Sequence, residues 1–303
     1  MRVYIAIPTY NGGEIWKTAA ENIKKNTPEK TFVYVIDSGS EDDTLKTAEK
    51  NGFFIHKIKS TEFNHGGTRN TAVNLFENEF DLVIFLTQDA IPEPFFVEKI
   101  TEVFKDQTIS CAYGRQLPHD NANPIAQHAR HFNYPNVSHI SSFDDISTMG
   151  IKAAFTSNSF SAYRVSTFKE LGGFPKNTIL SEDMFFAAKS ILAGYKIAYV
   201  ANSQVKHSHN YSPLEEFKRY FDIGVFHSSE PWIRESFGGT GGEGKRYVLS
   251  EFKYLFEKKP SLIPRSVLHN LAKISGYKMG LNYKKIPYGW VKKCSMHKRY
   301  WND

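Results

Sequence analysis

The stretch Asp81–Ala90, DLVIFLTQDA, holds an unbroken apolar run that stops abruptly and leaves a single carboxylate, Asp89, just beyond it. An apolar run bounded by polar residues predicts a strand buried on both faces, as in a parallel sheet covered by helices. In open α/β sheets, ligands bind just past the carboxyl ends of such strands. An acid there can hold a hard divalent cation against a phosphate. A strand-end Asp is equally a common helix cap or turn former, so two readings stand at this point.

Working outward, Val3–Ile7 reads as a strand ended by the turn residues Pro8-Thr9-Tyr10-Asn11-Gly12-Gly13. A helical pattern through Ile15, Ala19 and Ile23 follows, then a strand Phe32–Ile36 that stops at Asp37-Ser38-Gly39-Ser40. Next come a helix over 41–48, a strand Phe53–Ile58 and a helix Gly66–Glu77. Strand and helix thus alternate about every 25 residues, the pattern of βαβ units. Downstream the pattern predicts a helix Pro94–Lys105, a strand near Ile109–Tyr113, loops around a site over 114–150 and a strand Ala154–Tyr163. Ser181 is placed to cap a helix Glu182–Ala193 terminated by Gly194. Two short strands, Lys196–Val200 and Val205–His209, precede a helical region that begins at Pro213 and is broken by glycines over 238–244.

With 303 residues, 41% of them hydrophobic, the chain can bury one large core, or one core plus an appendage. Cys111 and Cys294 offer no disulfide framework or metal spacing, which points to a reducing compartment. The apolar run before Pro8 is too short for a signal peptide, and no stretch approaches the roughly 18 apolar residues of a membrane span. The net charge of +6 is uneven: residues 245–303 carry 14 Lys/Arg against 3 Asp/Glu, a balance of +11, whereas residues 1–244 carry 24 against 29, or −5. A basic segment rich in Tyr, Trp, Leu and Ile suits an anionic lipid surface; a solvated helical face that snorkels its lysines is the plainer reading. A nucleic-acid module needs a positive folded domain, and the negative balance of residues 1–244 argues against one.

Polar clusters fall at the strand ends: Thr9–Gly13, Asp37–Ser40, His65–Asn70, Thr87–Asp89 and His207–His209, with Ser181-Glu182-Asp183 opening a helix. Parallel strand ends share one edge, so the first four clusters should converge. A nucleotide would meet hydroxyls there, a carboxylate for a base or ribose, Arg69 for a diphosphate and Asp89 for a cation. His207 and His209 are two apart and face opposite sides of a strand unless the strand ends before them. Gly239–Lys245 mimics a phosphate-binding P-loop, but Arg246 replaces the required Ser/Thr and no apolar strand precedes it. A mobile loop over the acceptor side fits better, with Trp232 as a sugar-stacking platform.

The motifs IAIPTYNGG (5–13), VIDSGSEDDT (35–44), FNHGGTRN (63–70), FLTQDA (85–90), LSEDMFF (180–186) and VKHSHNYS (205–212) together resemble the family 2 inverting glycosyltransferases with the GT-A fold. GVFHSSEPW (224–232) and GEGKRY (242–247) extend the likeness to the rhamnosyltransferase branch. The resemblance implies a GT-A catalytic domain over 1–210 and a basic, mainly helical region over 211–303 on the acceptor and membrane side. It implies transfer of a sugar, with L-rhamnose from dTDP-rhamnose first and a UDP-hexose second, onto a lipid-linked or growing surface polysaccharide. The protein would then sit peripherally at the cytoplasmic membrane face, with a nucleotide-sugar donor, a glycan acceptor and no nucleic acid.

On that resemblance Pro8, Thr9, Tyr10, Asn11, Asp37, Ser38, Gly66, Arg69, Thr87, Gln88 and Asp89 bind the donor nucleotide, with Asp37 on the pyrimidine edge and Arg69 on the diphosphate. Thr87-Gln88-Asp89 occupies the place of the family's Asp-x-Asp motif and keeps only its last acid. Asp89, with His207 or His209, would hold Mg²⁺ or Mn²⁺. Asp183 would be the base, or Glu182 in its stead; Glu182 and Trp232 are the candidate acceptor contacts. A carboxylate in a helix's first turn gains from the dipole, which predicts a lowered pKa for Asp183. Ser181-Glu182-Asp183 also reads as a capped helix start with complementary charge.

Overall fold

The computed structural model describes residues 1–76, 78–239 and 242–302. At its centre lies β4 (Leu82–Leu86), every residue of which is buried. Strand alternation divides it between two cores: Val83 and Phe85 join one, and Leu82, Ile84 and Leu86 the other. β1 (Val3–Thr9) is shared the same way, with Tyr4 and Ala6 on the first side and Ile5 and Ile7 on the second. A strand roofed on both faces has no position for a charged residue, which is why the 82–86 run is decisive.

The remaining strands are β2 (Phe32–Asp37), β3 (Phe54–Lys57), β5 (Ile91–Pro92), β6 (Ile109–Leu117), β7 (His139–Ser141), β8 (Phe160–Arg164) and β9 (Lys196–Lys206). They form a nine-stranded sheet in the order β3-β2-β1-β4-β8-β6-β9-β5, with β7 also paired to β9. β3, β2, β1 and β4 are parallel, β8 is antiparallel to both β4 and β6, and β6 is parallel to β9. The inversion at β8 leaves β4, β6 and β9 running the same way, and the short strands β5 and β7 run antiparallel to β9. The carboxyl ends of β1, β2, β4 and β9, with the entry into β8, therefore share one edge.

Several boundaries differ from the sequence reading. The two short strands over 196–209 are one strand, β9, which ends at Lys206. The 114–150 stretch is not all loop: β6 continues to Leu117, and the helix Pro124–Asn133 is capped by Asn123, whose Oδ1 accepts from the Ile125 and Ala126 N–H groups. The Asn-Pro start was a readable signal for that helix. The third helix runs His65–Leu75, and Glu77, its expected end, lies outside the described residues.

Residues beyond 210 form no separate core. Phe221, Val225, Phe226, Ile233, Phe237 and Trp301 belong to the same cluster as Tyr4 and Phe85. No described helix is long and apolar enough to cross a membrane. The helices Pro213–Ser229 and Ile263–Leu281 lie directly against each other, and glycines permit the approach. A Cβ on Gly276 or Gly280 would collide with the backbone carbonyl of Phe217 or Phe221. Overpacking a closed contact costs about 1–3 kcal/mol or more. Gly280→Val should therefore lower the melting temperature measured by calorimetry, whereas Gly244→Ala, with open space around it, should leave it unchanged or raise it.

Candidate active site

The loops at the shared edge are tied to one another by side chains. The Gln88 amide pairs with the Tyr10 backbone, accepting from its N–H at 2.8 Å and donating to its carbonyl at 3.1 Å. Asn11, in the left-handed region at φ 44°, donates its N–H to Ser40 Oγ and accepts from the Glu41 N–H. The buried Asp37 carboxylate accepts from Thr9 Oγ1, the Gly39 and Ser40 N–H groups and Ser40 Oγ, while Ser38 Oγ donates to the Thr9 carbonyl. Four donors occupy Asp37, so the structure gives it and Ser38 the task of shaping the loops; neither lines the cleft. Gly66 also stays out of it. A Cβ there would run into the Pro175 carbonyl, so Gly66 serves a close backbone approach.

The edge opens into a cleft of about 970 Å³. Pro8, Thr9, Tyr10, Asn11, Thr87, Gln88 and Asp89 form one wall, as expected. His65, Arg69 and Asp183 line its middle. The helices Pro124–Asn133, Pro213–Ser229, Glu243–Lys258 and Ile263–Leu281 supply the other wall through residues such as Arg130, Arg219, Tyr247 and Lys273.

Asp89, His207 and His209 meet in this cleft, with ligand atoms all within 4.8 Å of one another. Because β9 ends at Lys206, the two histidines escape strand alternation and both turn to one carboxylate. His207 Nε2 stands 3.3 Å and His209 Nε2 3.6 Å from Asp89 Oδ2. Gln116 Oε1 accepts from Arg130 Nη1 at 2.7 Å, which fixes the amide orientation, and lies 2.8 Å from His207 Nδ1. His207 must then carry its proton on Nδ1 and present Nε2 toward the carboxylate. A proton or a cation must lie between that nitrogen and the carboxylate, and a divalent cation fits this donor set. Burial opposes ionisation of Asp89, and His207 followed by His209 outweigh it, holding its pKa well below the usual carboxylate range. A cation bound here would neutralise the charge on a diphosphate.

The second acidic centre departs from expectation. The helix Glu182–Leu192 begins after Ser181, which sits at φ 61° and makes no side-chain cap. Glu182 is buried, is not among the residues that line the cleft and pairs with Arg69 Nη1 at 3.1 Å, both side chains being 6% exposed. The Asn158 amide donates to Glu182 Oε1 at 2.8 Å, and its own carbonyl accepts from Ser161 Oγ and Tyr163 OH. Burial opposes ionisation of Glu182; Arg69, then His65, overcome it and lower its pKa. Glu182 is thus held ionised by Arg69 and Asn158, while Arg69 also lines the cleft.

Asp183 does reach the cleft. Its oxygens accept from the Asn158 N–H at 3.0 Å and the Met184 N–H at 2.8 Å. Burial first, then the adjacent Glu182 charge, raise its pKa to about 7. The expectation of a lowered value fails because desolvation and a like charge in contact outweigh a helix dipole.

Trp232 is also misplaced by the sequence reading. Its Nε1–H donates to Glu230 Oε2, its ring packs edge-on against Phe185, and it does not line the cleft. Within the glycine stretch 239–245, Thr240 and Gly241 lie outside the described residues, and a helix starts at Glu243. Sequence reasoning missed Gln116, Arg130 and Arg219, which only the fold brings to the cleft, and Asn158, which lies behind it and holds the two acids. It also missed His297, which lines the cleft beside His65.

A parallel-edged α/β sheet with a metal-suited acid and a second carboxyl across one cleft defines a nucleotide-sugar transferase architecture. The chain matches the family described as glycosyl transferase family 2 over residues 4–172, and it belongs to that family. It is 50% identical over 305 residues to the O-antigen chain rhamnosyltransferase RfbN of Salmonella typhimurium, covering all of this chain and 97% of that one. It is likewise 50% identical to the O-antigen chain rhamnosyltransferase WbaN of Salmonella anatum, covering 99% and 95%. Among solved structures, the fold is similar to the Pyrobaculum calidifontis mannosyltransferase PcManGT in complex with GDP-Man and Mn²⁺, with TM-score 0.57, 18% identity and coverage of 99% and 84%. It is also similar to S. aureus TarS in complex with UDP-GlcNAc, with TM-score 0.55, 14% identity and coverage of 94% and 92%.

A carboxyl with a pKa near 7 is mostly protonated under acidic conditions and becomes a competent base only as pH rises through that value. kcat/KM should fall about tenfold per pH unit below the apparent pKa. Asp183→Asn should lose on the order of 10²- to 10⁴-fold in kcat while still binding nucleotide. A steady-state pH profile checks the first and calorimetric titration with the nucleotide the second.

Proposed function

We propose that this glycosyltransferase moves L-rhamnose, with inversion, from dTDP-rhamnose to a hydroxyl of a lipid-linked or growing cell-surface polysaccharide. The observation that carries the chemistry is that Asp183 and the Asp89–His207–His209 group line one cleft. The acceptor O–H loses its proton to Asp183 as its oxygen attacks the anomeric carbon. The bond from that carbon to the diphosphate oxygen breaks, and the nucleoside diphosphate leaves with the electron pair. Asp183 is held for this by the Asn158 and Met184 N–H groups, and burial followed by the Glu182 charge raises its basicity. The rhamnosyl donor and the polysaccharide acceptor rest on the half-identity to the two relatives along nearly the whole chain.

Tyr10, Asn11, Thr9 and Pro8 serve the nucleotide, and Thr87, Gln88 and Asp89 the diphosphate side. Residues 211–303 form the acceptor side. Two histidines with one carboxylate suit Mn²⁺ better than Mg²⁺, because imidazole is a softer donor than oxygen. In a panel of nucleotide sugars, turnover should be confined to dTDP-rhamnose, be abolished by EDTA and be restored more fully by Mn²⁺ than by Mg²⁺. Equal turnover of a UDP-hexose would overturn the donor assignment, and full activity in EDTA would overturn the metal.

The site of action is the cytoplasmic face of the membrane. In support, the helix Ile263–Leu281 exposes Leu268, Leu271 and Ile274 at helical spacing, and Leu249 and Phe256 are exposed on the preceding helix Glu243–Lys258. These apolar side chains lie in the segment whose charge balance is +11. Leu268→Glu with Ile274→Glu should weaken co-sedimentation with anionic vesicles several-fold and leave binding of soluble dTDP unchanged. Undiminished vesicle binding would count against this face.

A further inference from the structure

Two guanidinium groups face the cleft with no carboxylate within ion-pair distance among the described residues, Glu216 acting on Arg219 from further off. Arg219, on the helix Pro213–Ser229, lies over the Tyr220 ring with 5.8 Å from Cζ to the centroid, and it makes no ion pair among the described residues. Arg130, on the helix Pro124–Asn133, donates to Gln116 and stands 5.4 Å from the Tyr134 centroid. The other cations of the cleft are neutralised: Arg69 lies 3.1 Å from Glu182, and Lys273 lies 3.5 Å from Glu216. Tyr134, which also lines the cleft, feels both free charges. Burial raises its pKa, and Arg130 and Arg219 oppose that rise, while Asp183 adds to it. The two cations and the base are thus electrostatic neighbours of one phenol.

A partly buried guanidinium facing a cavity without a counter-ion is an unfilled site for an anion, and the planar fork of Arg suits phosphate oxygens. Arg69, the cation that the sequence assigns to the diphosphate, is committed elsewhere. We propose that Arg219, with Arg130 beside it, forms an oxyanion subsite that takes a phosphate or diphosphate ester within the cleft. This inference rests on the transferase reading above. That reaction offers two sources of the same chemistry: the departing nucleoside diphosphate, and a diphosphate joining the acceptor sugar to its lipid.

The test is calorimetric titration of the full-length protein with inorganic pyrophosphate in the presence of Mn²⁺, comparing wild type with Arg219→Ala and Arg219→Lys. Wild type should bind, Arg219→Ala should weaken binding about tenfold or more, and Arg219→Lys should fall between. Melting temperatures identify a variant that fails to fold; Arg219→Lys, which keeps the charge, then carries the comparison. A parallel loss for dTDP assigns the subsite to the leaving nucleotide. Unchanged dTDP affinity with a raised KM for a prenyl-diphosphate-linked saccharide assigns it to the acceptor. Pyrophosphate affinity that is absent in wild type, or the same in every variant, overturns the proposal, as does a loss accompanied by neither substrate effect. The pyrophosphate arm needs no rhamnosyl donor, so it reads the subsite even where the donor assignment fails.

Discussion

The pairing of Arg69 with Glu182 inside the protein, and the contact of that pair with Asp183 through Asn158, governs the rest of the site. A buried ion pair contributes little net stability, because desolvation offsets most of the attraction. Its consequence here is electrostatic. Glu182 is kept ionised beside Asp183, and its charge adds to the burial that already makes Asp183 more basic than a solvated aspartate. Two adjacent acids in the same helical turn acquire different roles because a single guanidinium is 3.1 Å from one of them. The Asn158 amide donates to both, its backbone N–H to Asp183 and its side chain to Glu182, and so holds the geometry that keeps the two environments apart.

The same economy appears at the cation end. Gln116 has one carbonyl oxygen and two partners for it, Arg130 and His207. Since Arg can only donate, the amide has one orientation and the histidine one tautomer. A remote guanidinium thereby determines which ring nitrogen faces Asp89. Where Thr87-Gln88-Asp89 offers a single acid, two imidazoles arriving just past the end of β9 stand beside it.

How far the sequence could be read follows from where each signal resides. The β4 run announced a two-sided strand, and the alternation of strands and helices gave the parallel half of the sheet, because local periodicity encodes local burial. Asp89 and Asp183 were legible as strand-end and helix-start acids. Nothing in VIDSGS announces the four hydrogen bonds that Asp37 accepts from Thr9, Gly39 and Ser40. The pairing of Glu182 with Arg69 was illegible for a related reason: they lie 113 positions apart, and only the fold brings them together. Asp183's basicity could not be read from a helix position either, because the desolvation and the neighbouring charge that set it are tertiary. Trp232 was assigned from its chemistry alone, and a Glu two residues away took its N–H.

The last residues of the chain return to the first. His297 Nδ1 stands 3.4 Å from His65 Nε2, and Arg299 lies over the Tyr10 ring at 5.2 Å. Asp222 accepts from the Met296 and His297 N–H groups at 2.9 and 3.0 Å, which anchors this return to the helix that also carries Arg219. Closing so long a loop costs only slightly more than closing a short one, since the entropy grows with the logarithm of length. The contact is therefore cheap once the sheet has formed, and it joins the two walls of the cleft mechanically. Tyr10 on the nucleotide wall and Arg219 on the opposite wall are linked through a few residues of tail and one carboxylate. The 213–229 helix and the surroundings of Tyr10 are thus joined by a continuous chain of contacts through Asp222, His297 and Arg299.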